Sequence, residues 1–181
     1  MEFRLFDIKF RISFWFLMFI SVASILSSDF HYVIISLIIH EASHTLFLLL
    51  FKGRINEVSL SLKDINIKSN VLSLHQCKSI VVLLAGSAVN ILAGLIFLNI
   101  NRDFSYTNFV IGIFQLLPIS SSDFDNIIAL FLKGRFYKVK LTLYFIFALF
   151  IFLIGIMIFL ESRFNYSLLI TGIYLIIKTI L

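Results

Sequence analysis

Apolar residues run along this chain in blocks of about 20, the length a helix needs to cross a bilayer. Short polar stretches, mostly basic, separate the blocks. The pattern predicts spans at about 12–28, 32–51, 79–98, 104–132, 139–160 and 164–181. The fourth is long and broken at Pro118, which lacks an amide donor and disfavours helix at Leu117 before it. Residues 53–75, GRINEVSLSLKDINIKSNVLSLH, follow another period. Val58, Leu60 and Leu62 alternate with Ser59 and Ser61, and the apolar positions continue through Ile65 and Ile67. Period two predicts strands, with turns at Lys63-Asp64 and Ser69-Asn70, hence a small β-hairpin or sheet lying against the membrane. The expected fold class is an all-α polytopic membrane protein of about six transmembrane helices with this small sheet attached. One integral membrane domain over residues 1–181 is expected, since no linker divides the chain.

Composition turns the blocks into membrane spans rather than core helices. The chain is 60% hydrophobic and 14% charged, with a mean hydropathy of +1.04, whereas soluble domains sit near 45–50% apolar and about 25% charged. Arg4, Lys9 and Arg11 ahead of the first block would suit a signal peptide. No convincing small-residue cleavage site follows, however, and the second block begins almost at once, so the first is read as a helix. The single Cys77 excludes an internal disulfide. A net charge of +5 raises the question of nucleic acid, but the basic residues form no stripe, and no direct nucleic-acid partner is expected. Their placement follows topology. Of the 15 Lys and Arg, all but Arg102 and Arg163 fall on one side of the predicted spans. By the positive-inside rule that side, with both termini, is cytoplasmic.

The second span, YVIISLIIHEASHTLFLLLF, carries three ionisable side chains at mid-depth, His40, Glu41 and His44. A charge there costs about 2.5 to 3.5 kcal/mol on insertion scales, so a compensating partner is implied. His40 and His44 are one helical turn apart and share a face, as two imidazole ligands of one zinc ion do. Glu41 between them is the candidate general base. A divalent cation would offset the cost of burying these groups.

Two histidines leave a catalytic zinc short of one protein ligand. Among the acidic residues other than Glu41, only Asp123 and Asp125 fall within a predicted span. They follow LLPISSS, where Pro118 and three serines suit the irregular, water-lined backbone tolerated at depth. His40 lies twelve residues before Lys52 and Asp123 ten before Lys133. At 1.5 Å per residue these depths are about 18 and 15 Å from the cytoplasmic surface, so one site can draw on both segments. Two residues apart, the aspartates diverge by about 200° on a helix but share a side if extended, and spacing alone leaves the choice open.

Three stretches together, HEASH at 40–44, AGSAVN at 85–90 and FQLLPISSSDFDN at 114–126, resemble the site-2 protease family of intramembrane zinc metalloproteases. Within it, the stage IV sporulation protein FB branch looks closest. The resemblance covers most of the chain. In the family the second stretch reads Ala-Gly-Pro-x-x-Asn, with Ser87 here in place of the Pro. The third resembles Asn-Leu-Leu-Pro-x-x-x-Leu-Asp-Gly, with Gln115 for the Asn and Phe124 for the Gly. The resemblance implies one Zn2+ per chain, with His40, His44 and Asp123 as metal ligands and Glu41 as catalytic base. It also implies Asn90 near the active site, holding substrate backbone or polarising the scissile carbonyl, and Gln115 in a lesser positioning role. As a residue type, a lone Asn on an apolar helix equally suits interhelical hydrogen bonding. Asp125 is then expected to orient a histidine N–H or to cap the helix running on to Leu132.

The expected function is therefore that of a zinc metalloendopeptidase cleaving a membrane-associated precursor near the cytoplasmic face. The sporulation branch implies a pro-sigma factor as substrate, inhibitory membrane partner proteins, and a bacterial mother-cell or forespore membrane. That branch often adds a nucleotide-sensing CBS domain; the chain ends after its predicted sixth span, so no CBS or soluble C-terminal domain is expected. The competing classes are a metal-ion permease, which needs no general base, and a non-catalytic, protease-like membrane binding protein.

Overall fold

The computed structural model describes residues 2–5, 8–12, 18, 20–21, 23–24, 27–53, 55–60, 65–69, 74–119, 122–132, 137–161 and 166–180. They fall into two compact units, Met1–Ile113 and Phe114–Leu181.

The first unit begins with strands β1 (Glu2–Leu5) and β2 (Ile8–Ile12), followed by helix α1 (Phe30–Leu50) and strands β3 (Ile55–Leu60) and β4 (Ile65–Ser69). Helix α2 (Gln76–Phe97) comes next, then α3 (Arg102–Gln115), which runs just past the unit boundary. The strands form one sheet in the order β1-β2-β3-β4. β3 and β4 pair antiparallel, Val58 opposite Ile67, and β2 joins β3 in parallel, Phe10 opposite Val58. The sheet thus extends beyond the 53–75 stretch into residues assigned to a basic flank. The reason is visible in EFRLFDIKFRI, where Phe3, Leu5, Ile8, Phe10 and Ile12 alternate with charged positions at period two. The expected Lys63-Asp64 turn lies outside the described residues.

Helix α1 buries Ser36, His40, Ser43 and Leu48, one stripe at helical spacing. It packs on α2, whose buried face is mostly small: Ser79, Ala85, Gly86, Ser87, Asn90 and Gly94. Small side chains let two helix backbones approach where no hydrophobic effect drives them together. Helix α3 is tied on by the Ser105 hydroxyl donating to the Gly94 carbonyl at 2.6 Å. Asn101 caps α3 by accepting the Phe104 N–H, and its amide donates to the Tyr32 hydroxyl of α1.

The second unit holds α4 (Asp123–Leu132), α5 (Tyr137–Glu161) and α6 (Ser167–Ile180). Its core is Ile119, Ala148, Ile151 and Leu175, flanked by Leu117, Leu168 and Ile176. At Gly172 an added Cβ would stand 2.6 Å from the Phe152 Cα, so α5 and α6 meet backbone to backbone there.

Among the described residues three helices are long and apolar enough to cross a membrane: Phe30–Leu50, Gln76–Phe97 and Lys138–Glu161. The chain is a membrane protein. The other expected spans take different forms. Most of 12–28 lies outside the described residues. The 104–132 segment is two helices, of 14 and 10 residues, separated around Pro118. At 1.5 Å per residue neither reaches the ~30 Å of a hydrocarbon core, nor does the 14-residue α6.

Candidate metal centre

His40 and His44 face α2 from consecutive turns of α1, their rings nearly perpendicular at 85° with centroids 4.7 Å apart. The two Nε2 atoms converge to 3.1 Å. The His44 Nδ1 lies 2.7 Å from the Val82 carbonyl oxygen. A carbonyl can only accept, so Nδ1 carries a proton, which in the neutral ring leaves the Nε2 lone pair turned toward His40. Fixing the tautomer from behind in this way is how ligand histidines are prepared for a metal. Two nitrogens at tetrahedral positions around zinc stand about 3.3 Å apart. The observed separation and the donor chemistry both fit such an ion.

Gly86 is the floor of this arrangement. A Cβ there would lie 2.5 Å from the His44 Nε2 and 2.7 and 2.8 Å from the His40 Cε1 and Nε2. Those are ring atoms of both imidazoles, and His40 is fully buried, so neither ring can swing aside at low cost. Gly86 stands in the AGSAVN stretch but had no role of its own there; its signal was the run Ala85-Gly86-Ser87, three small residues inside an apolar helix. We expect Gly86→Ala to lower stability by about 1–3 kcal/mol through overpacking, and to lower zinc content with it. Thermal unfolding and metal analysis of the purified variant check this.

Contacts of the two histidines also fix the direction of α2. His44 meets Val82 and His40 meets Gly86, so the helices run antiparallel. One turn farther along each, Ser36 and Asn90 are both fully buried. Among the described residues neither Asn90 amide atom has a hydrogen-bond partner, nor has the Ser36 or Ser87 hydroxyl. Glu41 is half-buried, and Gln115, also half-buried, ends α3.

In the second unit, Asp123 is the first residue of α4. Its helix is capped by Ser122 rather than by Asp125: the Asp125 N–H reaches the Ser122 Oγ at 3.2 Å. The Ser122 hydroxyl in turn donates to the Leu117 carbonyl at 2.8 Å, fastening the cap to the turn at Pro118. The Asp125 carboxylate accepts the Tyr144 hydroxyl and pairs with the Lys140 ammonium of α5. Two residues apart on a helix, Asp123 lies on the opposite flank from Asp125.

Helices long and apolar enough to cross a membrane, and a His-x-x-x-His pair with converging Nε2 atoms, define a membrane protein with a candidate metal centre. The chain has a known fold over nearly its whole length. It is similar to the site-2 protease from Methanocaldococcus jannaschii, with a TM-score of 0.64 over 99% of this chain and 93% of that one, at 18% identity. At that identity the likeness is one of fold. Neither protein-family models nor curated proteins give a match to the sequence.

Proposed function

We propose that this protein is an intramembrane zinc metalloprotease in which His40, His44 and Asp123 hold the ion and Glu41 is the general base. The observation that carries this reading is the histidine pair itself, with one tautomer fixed by Val82 and a floor cleared by Gly86, on the fold of a site-2 protease. The choice of Asp123 as third donor is supported by its register, five residues on from Pro118 in FQLLPISSSDFDN, and by a depth along the chain like that of His40. Two imidazoles and a carboxylate are a donor set of catalytic zinc sites, with the fourth position left for water or substrate.

Zinc, when bound, acts as a Lewis acid toward water and the scissile carbonyl. The remaining chemistry belongs to the chain. Glu41 takes a proton from the attacking water and delivers it to the leaving amide nitrogen as the C–N bond breaks. Asn90 brings a buried carboxamide, without a partner among the described residues, one turn from the histidines and suited to hold substrate backbone. Gln115 is proposed as a weaker contact of the same kind.

A substrate helix hides its scissile amide in its own hydrogen bonds and must be unwound first. Strands β1 and β4 are the edges of the sheet, and an edge can hold an extended peptide by strand addition. Proline placed singly along Ile65–Ser69 is expected to lower kcat/KM only at alternate positions, those whose N–H faces outward. A uniform effect along the strand, or none, would remove this role for β4.

The substrate is proposed to be a membrane-associated protein cleaved near a cytoplasmic face, with both chain termini on that side, as the Lys and Arg distribution supports. A pro-sigma factor under inhibition by partner membrane proteins, in a sporulating bacterium, is the finer proposal. It rests on motif resemblance alone, and a knockout that still processes the pro-sigma factor fully would reject it. The central test is cleavage of co-expressed membrane-tethered precursors by wild type and by Glu41→Gln.

A further inference from the structure

Helix α4 is only ten residues long, and helices that short are marginal unless tertiary contacts hold them. Two contacts hold this one at its first turn. Ser122 satisfies the Asp125 N–H and is itself bonded to Leu117. The Asp125 carboxylate then takes both the Tyr144 hydroxyl and the Lys140 ammonium on a single oxygen, Oδ1. Tyr144 and Lys140 are four apart on α5 and share a face. The Lys140 Nζ also sits 5.4 Å from the Tyr144 ring centroid, closing a triangle of three groups. Tyr144 is 5% exposed, so the contact is built into the unit rather than laid on its surface.

The geometry points to Tyr144 and Lys140 as positioning residues for the metal ligand Asp123, acting through Asp125. This rests on the proposed reading of Asp123. Two residues apart, the carboxylates are about 200° apart around the α4 axis. Once Asp125 is fixed to α5, the rotation of α4 is set, and Asp123 must project from the flank turned away from α5. Rotating α4 to re-aim Asp123 would break a bond from a buried hydroxyl and separate a carboxylate from its cation, and both cost free energy. The same contacts explain a spacing that sequence left ambiguous: one aspartate aims and the other anchors.

The test uses the full chain in nanodiscs, with zinc affinity read by chelator competition, Co2+ substitution read by its visible spectrum, and thermal midpoint as a control. Tyr144→Phe keeps the ring and the cation contact but removes the donor; Lys140→Gln removes the charge. Each is expected to weaken zinc binding about 10-fold and to change the Co2+ band intensities, as loss of a group behind a ligand does. Because both act on one carboxylate, the double variant should fall short of the product of the singles. Lys140→Arg should restore most of the loss. In an Asp123→Asn background the tether variants should change zinc affinity no further. Wild-type affinity and spectrum in both single variants, with or without a lower thermal midpoint, would overturn the inference. The reading beneath it fails differently, by Asp123→Asn itself binding zinc as wild type does.

Discussion

Glu41→Gln is expected to retain about one zinc per chain and to lose proteolysis in a membrane assay. The amide is nearly isosteric with the carboxylate, so the helix and the histidine pair beside it stay as they are. It has no basicity, however, and cannot take a proton from water or return one to the leaving nitrogen. General-base contributions run at about 10²–10⁴-fold, and with no other carboxylate on α1 the loss should reach the upper end. Zinc analysis and cleavage of a tethered precursor, measured on the same preparation, separate the two effects. Cleavage by the Gln variant at the wild-type rate would sink the protease reading. Zinc-dependent flux into liposomes, carried equally by wild type and Glu41→Gln, would favour the permease. Zinc-independent partner binding without cleavage by wild type would favour the non-catalytic protein.

The second large effect separates the two aspartates. Asp123→Ala should lose most of its zinc and all activity, since it removes one of the three proposed donors. Asp125→Ala should keep zinc at saturating concentrations, with activity lowered about 10- to 100-fold at most. The structure sharpens that contrast, because Asp125 is engaged by Tyr144 and Lys140 while Ser122 supplies the cap. Removing it loosens the aim of α4 without taking away a donor. Should zinc be lost only in the Asp125 variant, the third ligand is Asp125 and the assignment is wrong by two residues.

What the sequence by itself determined is what has a local period. Two histidines four apart on a helix must share a face, whatever the rest of the chain does, so the facing imidazole pair and the carboxylate between them were legible in HEASH. Long apolar runs are legible for the same reason, since each reports only on its own length and surroundings. The N-terminal strands carried a period-two signal too, in FRLFDIKFRI, but the basic residues within it read equally well as a topological flank.

Contacts between elements have no such period. Which small residue lies under the imidazoles depends on the register of α1 against α2, and only packing makes that Gly86 rather than Ala85 or Ser87. Which carbonyl fixes the His44 tautomer, that of Val82, follows from the same register. The aspartates show the division most plainly. Spacing in the sequence put them on opposite flanks of a helix if they are helical. The tertiary structure decided that they are helical, that Ser122 starts the helix, and that Asp125 turns to Tyr144 and Lys140. Those partners lie 19 and 15 positions away along the chain, beyond any pattern a helix or strand repeats.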